Sequence, residues 1–137
     1  MANEGKRRYR IALVEDSDED VFLIFESSRR FSRDIGFIRF ATAEIAITGL
    51  TAPDFEPPGG IVIDLNLPGG SGLDVLGTLR RSSALRDSPV VILTSSMSAR
   101  DRAAAQALGI RAYLEKPTQL ASFEQAVTRA LEELISE

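Results

Sequence analysis

Four short apolar runs in this 137-residue chain end on side chains able to do chemistry. Tyr9-Arg10-Ile11-Ala12-Leu13-Val14 runs into Glu15-Asp16, and Ile61-Val62-Ile63 into Asp64. Val90-Val91-Ile92-Leu93 is followed by Thr94-Ser95, and Arg111-Ala112-Tyr113-Leu114 leads to Lys116-Pro117. If the fold gathers these ends, three carboxylates face one another, and each close pair repels by roughly 1 to 4 kcal/mol depending on the local dielectric. A hard cation relieves that repulsion. Magnesium suits the set because it takes one or two carboxylates, keeps some waters and accepts a phosphoryl oxygen, and the main-chain carbonyl of Asn66 could add one more ligand. Lys116 would then put a point charge, Thr94 a hydroxyl and Ser95 a backbone amide on the remaining phosphoryl oxygens. Phosphoryl transfer asks for little beyond such positioning and charge neutralisation.

Composition narrows the alternatives. There is no cysteine, which excludes disulfides, thiolate metal sites and cysteine nucleophiles. There is no histidine either, so the usual general base, the usual zinc ligand and a phosphohistidine on this chain are absent. Apart from arginine the basic residues are Lys6 and Lys116 alone, which makes a lysine deep in the chain conspicuous. A net charge of -4 argues against a nucleic-acid partner, since such binders need a basic face to displace counterions. Solubility is the simpler reading of that acidity. No apolar run approaches the ~20 residues of a membrane span, and the start of the chain lacks the apolar stretch of a signal peptide. The expectation is a cytoplasmic protein with no membrane contact.

The elements that must position these residues follow from apolar spacing. Strands are expected over Tyr9–Val14, Gly36–Phe40, Ile61–Ile63, Val90–Leu93 and Arg111–Leu114. The third and fourth are continuous β-branched runs rather than alternating ones, as in central strands of a parallel sheet covered on both faces. Helices are expected from Ser17 or Asp18 to the Arg29-Arg30 pair, over Ala43–Leu50, Leu73–Ser83, Ala99–Leu108 and Gln119–Ile135. In the first, Val21, Ile24, Phe25 and Ser28 share a face; in the last, Leu120, Phe123, Val127, Leu131 and Leu134 do. Five strand-helix units in strict alternation imply one domain, a parallel sheet with right-handed crossovers and helices on both faces. Ligands of such sheets bind beyond the carboxyl ends of the strands, where the candidate residues lie.

On these residues the chain resembles the response-regulator receiver domains of bacterial two-component signalling, from about Tyr9 to Leu134. That family carries an acidic pair after its first strand, the phosphoacceptor aspartate after the third, Thr or Ser after the fourth, Lys-Pro after the fifth and an aromatic switch residue within the fifth. Here these fall on Glu15-Asp16, Asp64, Thr94, Lys116-Pro117 and Tyr113, with Asp16, Asp64, Thr94 and Lys116 separated by 48, 30 and 22 residues. The resemblance implies a flavodoxin-like (βα)5 doubly wound sheet of five parallel strands, order 2-1-3-4-5, with a tail over residues 1–8 and the receiver domain over 9–137. It implies Mg2+ at Glu15, Asp16, Asp64 and the Asn66 carbonyl. Asp64 then receives a phosphoryl group from the phosphohistidine of a sensor histidine kinase or phosphotransfer protein. Lys116, Thr94 and Ser95 would bind the phosphoryl group, and Thr94 and Tyr113 would switch. A face made by the fourth helix, fifth strand and fifth helix would meet a downstream protein target. The Lys116-Pro117 bond is usually cis in this family, which gives Pro117 a structural role. The resemblance also extends to single-domain regulators paired with phytochrome-type kinases, through Glu15-Asp16-Ser17 and Asp64-Leu65-Asn66-Leu67-Pro68. The chain ends soon after the fifth helix, so a stand-alone regulator is expected, and Arg100, Asp101 and Arg102 offer charges for a homodimer through the switching face.

Plainer readings compete with some of these. Asp18 is read as a helix cap, and Lys6-Arg7-Arg8 as a solvated tail. Tyr113 could be only a strand aromatic and Thr94 only a β-former. A haloacid-dehalogenase-like phosphatase uses similar groups, but it places its nucleophile after the first strand with an acid two residues later. Here that later position is Asn66, which cannot protonate a leaving group. A receiver-like scaffold that is never phosphorylated is the remaining alternative, against which the full set of site residues argues.

Overall fold

The computed structural model describes residues 8–31 and 33–135, so Lys6 and Arg7 of the expected tail lie outside the described residues. Five strands, β1 (Tyr9–Val14), β2 (Ile35–Phe40), β3 (Gly60–Ile63), β4 (Val90–Thr94) and β5 (Ala112–Glu115), form one parallel sheet in the order β2-β1-β3-β4-β5. The expected order is thus observed, and its reversal between β1 and β3 puts the switch point beside Glu15 and Asp64. Helices α1 (Asp18–Ser28), α2 (Ala43–Leu50), α3 (Gly72–Arg81), α4 (Ala99–Ala107) and α5 (Leu120–Ile135) alternate with the strands.

The central strands are apolar at successive positions because both faces of the sheet are covered. Ile11, Leu13, Val62, Val91 and Leu93 point to the α1/α5 side, where Ile24, Phe123, Val127 and Leu131 meet them. Ala12, Val14, Ile61, Ile63, Val90 and Ile92 point the other way, toward Ala46, Leu76, Leu79 and Ala105 of α2, α3 and α4. Pleating alone sends neighbouring residues to opposite faces, so a strand buried on both sides has no polar phase.

Helix starts follow local chemistry. Ser17, Thr42, Ser71 and Ser98 cap α1, α2, α3 and α4, and Ser71 forms a capping box with Asp74. Gly109, at φ +77°, follows α4 and turns the chain toward β5.

Several expectations change. Ser17 rather than Asp18 caps α1, its side chain accepting the Asp20 amide. Phe25 is exposed and rests on Phe37 with ring centroids 5.0 Å apart, while Ser27 takes an inward place. Leu120, the first residue of α5, is also exposed, because the helix meets the sheet only from Phe123 onward. Residues 66–71, for which no strand is expected, form a small hairpin pairing Asn66–Leu67 with Gly70–Ser71. Pro68 and Gly69, the latter at φ +71°, make its turn. The described peptide bonds are all trans, including Lys116-Pro117, so the cis bond that the resemblance implied is not observed. The tertiary amide's small isomer preference, about 0.5–1 kcal/mol toward trans, makes either form accessible to a folded loop.

Candidate functional site

Backbone pairing brings the strand ends together before any side chain acts. The Asp64 amide donates to the Val14 carbonyl at 2.9 Å, joining the ends of β3 and β1, and the Lys116 amide donates to the Thr94 carbonyl at 2.8 Å, joining β5 and β4. Gly72 lets α3 start directly against this edge, since a Cβ there would collide with the Asp64 carbonyl oxygen.

Onto this frame the chain places an acidic group that surrounds one ammonium. Carboxylate oxygens of Glu15, Asp16 and Asp64 all lie within 4.8 Å of one another, with Glu15 and Asp64 buried and Asp16 exposed. Lys116 Nζ reaches Glu15 Oε1 at 2.8 Å, Asp64 Oδ2 at 2.8 Å and Asp20 Oδ2 at 2.7 Å. The other oxygen of Glu15 accepts the Ser17 amide at 3.0 Å, and Asp64 Oδ1 accepts the Asn66 amide at 3.0 Å. Asp64 is thus held at one oxygen by its own loop and at the other by Lys116.

Burial and a surplus of negative charge set the protonation. Burial, opposed by Lys116 and aided by nearby Asp64, leaves the Glu15 carboxyl raised to about 7. Burial draws Lys116 down, but Asp20, Asp64 and Glu15 outweigh that and hold the ammonium above the ordinary lysine range. The lysine therefore stays charged across the physiological range.

The remaining expected residues sit around this centre. Thr94 is fully buried at the end of β4, its hydroxyl oxygen accepting the Ser96 amide at 3.3 Å. Ser95 is exposed and its hydroxyl accepts from the Asn66 side chain at 3.3 Å, a bridge from the Asp64 loop to the β4–α4 loop. The Tyr113 ring lies inward, only 8% exposed. Its hydroxyl donates to the Ser96 carbonyl at 3.1 Å, and the Arg102 guanidinium covers its face 4.7 Å from the ring centroid. Asp101 accepts the Ser96 hydroxyl at 2.7 Å. Two of the three charges offered for a dimer face are therefore engaged within the chain.

Two residues enter the site that sequence reasoning did not assign. Asp20 lies in the acidic first turn of α1, three residues after the Ser17 cap, and that place just beyond the end of β1 could have flagged it. Arg39 on β2 donates from Nε to the Glu15 carbonyl at 2.9 Å and pairs with Asp18 Oδ1 at 2.8 Å, tying down the β1–α1 loop. Asp18, read as a cap, is instead this ion-pair partner.

The donor set fits a hard divalent cation. Three carboxylates from two strand ends converge within one coordination sphere's reach, with no softer ligand among them. An α/β sheet with an acidic pocket and one lysine at its carboxyl edge has the charge arrangement suited to a cation and an anionic group together.

The chain belongs to the response regulator receiver domain family, whose model matches residues 11–128. It is 34% identical over 134 residues to the probable methanogenesis regulatory protein FilR2 of Methanothrix harundinacea, covering 96% of this chain and 84% of that protein. Other curated relatives are matched over 87% of this chain but only 48% of their own length. Among solved structures, the phosphorylated cyanobacterial phytochrome response regulator RcpA superposes with a TM-score of 0.88 at 27% identity, covering 95% of this chain and 96% of that one. The Mn(2+)-bound form of response regulator Rcp1 gives 0.86 at 30% identity, covering 94% and 96%. The fold and the family agree with the resemblance drawn from the strand-end residues.

Proposed function

We propose that Asp64 is the phosphoacceptor of this receiver domain, taking a phosphoryl group from the phosphohistidine of a sensor kinase or phosphotransfer protein. An Asp64 carboxylate oxygen forms the new P–O bond as the donor's P–N bond breaks, and the electron pair leaves with the imidazole nitrogen, which then takes a proton. The observation that carries this reading is the buried Asp64 carboxylate held 2.8 Å from Lys116 Nζ beside Glu15 and Asp16. Glu15, Asp16, Asp64 and the Asn66 carbonyl would hold Mg2+, which supplies charge neutralisation for the phosphoryl oxygens. Lys116, Thr94 and the Ser95 amide bind those oxygens.

The message leaves through Thr94 and Tyr113. Both bind the Ser96 backbone, so a pull on Thr94 changes the β4–α4 loop and the cover that Arg102 gives the ring. Phosphorylation acts by favouring one arrangement of the α4, β5 and α5 face, to which a downstream protein or a second copy of the chain binds.

Incubation with Mg2+ and a small phosphodonor should add one phosphoryl group by mass, and Asp64→Asn should abolish it. Sustained phosphodonor consumption by the Asn variant, or no adduct on the wild-type chain under any donor, would overturn the reading.

A further inference from the structure

A lysine ammonium has three N–H donors, and those of Lys116 meet three carboxylates drawn from β1, α1 and β3. Two of these, Glu15 and Asp64, belong to the acidic trio with Asp16; the third, Asp20, does not. We propose that Asp20 is a positioning residue for phosphorylation, holding the Lys116 ammonium against Asp64 while the other two carboxylates change partners. The proposal rests on the phosphoacceptor reading of Asp64.

The chemistry changes the other two partners in turn. A cation in the trio would compete with Lys116 for the Glu15 and Asp64 oxygens, and formation of the acyl phosphate replaces the Asp64 carboxylate by phosphoryl oxygens that Lys116 must follow. Asp20 stands outside the trio and takes part in neither change. Its own backbone is fixed, because its amide donates to Ser17 Oγ at 3.1 Å in the capped first turn of α1. The tether is therefore anchored on an element that carries neither the phosphoacceptor nor the lysine.

The need for a tether is geometric. Asp20 and Lys116 both line an open groove of about 520 Å³ whose apolar wall includes Leu23, Leu120 and Phe123. A lysine has a flexible four-carbon stem carrying about 2 kcal/mol of rotamer entropy, and without Asp20 this stem has free space to enter. With one donor pinned by Asp20, the other two remain directed at whatever occupies Asp64.

The test uses phosphoramidate as donor, saturating Mg2+, and the Asp20→Asn, Asp20→Ala and Asp20→Glu variants with and without Lys116→Met. The rate of adduct formation at saturating donor should fall about tenfold in the Asn and Ala variants, with half-saturation and melting temperature nearly unchanged. The Glu variant should recover part of the loss. In the Lys116→Met background Asp20→Asn should add nothing, because the two act as one unit. The chain has only two lysines, so the Lys116 side-chain methylene signals are readily assigned by NMR. Their two ε protons should be inequivalent in the wild-type protein and become equivalent in Asp20→Asn. Wild-type rate in Asp20→Asn, an equal slowing in the Lys116→Met background, or an equally immobile Lys116 would overturn the proposal. Absence of an adduct on the wild-type chain overturns the phosphoacceptor reading instead, whereas the NMR signature still reports on the tether.

Discussion

Gly72 shows how little room the site leaves. A methyl group in place of its Cα hydrogen would strike the Asp64 carbonyl oxygen and come within 2.8 Å of Ile63 Cγ2 and Leu65 Cα. Backbone atoms cannot swing aside as a side-chain end can, and the Gly72 amide is already bound to the Leu65 carbonyl at 3.0 Å. Gly72→Ala should therefore cost about 1–3 kcal/mol in urea unfolding and move the Asp64 and Leu65 amide signals. Wild-type stability would mean that α3 can draw away from the β3 end at no cost. At this scale the residues whose placement was readable were those set by a strand end: Glu15, Asp16, Asp64, Thr94 and Lys116. Asp20 and Arg39 were not readable in the same way. Asp20 reaches Lys116 across 96 positions only because the first turn of α1 faces the β5–α5 loop. Arg39 reaches Glu15 only through the register that sets Leu13 beside it. Such pairings are fixed by register and helix rotation, neither of which appears in a local sequence pattern.

Elements were legible wherever period and punctuation agreed. β1 and α2 begin and end at the expected residues, since acidic, proline or glycine neighbours mark their limits. Burial within helices was less legible: Phe25 and Leu120 carry the right spacing yet sit outside the core, because helical period identifies a face without fixing how far it is covered. One polar residue also joins elements that no period connects. Arg80 on α3 donates to the carbonyls of Leu108 at 2.7 Å, Gly109 at 2.6 Å, Arg86 at 3.1 Å and Ser88 at 3.0 Å. Its planar fork thus binds the end of α4 and the loop before β4 to one point. Lysine cannot reproduce that fork, so Arg80→Lys should destabilise the fold by about 1–3 kcal/mol and raise hydrogen exchange in residues 106–111 ahead of the rest. Unchanged exchange there would show that Gly109 and the α4 cap hold the turn unaided.

For the whole molecule, charge and stability meet at one end of the sheet. The two apolar layers hold the sheet from both sides and leave its carboxyl edge as the place where buried charge collects. There Glu15, Asp20 and Asp64 share the single ammonium of Lys116 with Asp16 close beside them, so four carboxylates face one nearby lysine. The folded chain thus carries repulsion that the unfolded chain, with Asp64 far from the other three, largely lacks. A divalent cation that binds only the folded arrangement should convert this weakness into stability. With Mg2+ at about a hundred times its dissociation constant, the gain is about 2.7 kcal/mol, which should raise the melting temperature by about 5–10 °C. Asp16→Asn is the informative variant, because Asp16 is exposed and touches neither Lys116 nor the core, so its loss should leave the metal-free protein at least as stable. In that variant most of the Mg2+-dependent rise should vanish. Sodium chloride at matched ionic strength should give wild-type protein little of the same rise. An equal rise with sodium would mean that salt merely screens a chain of net charge -4, and the acidic trio would then have no claim to a specific ion.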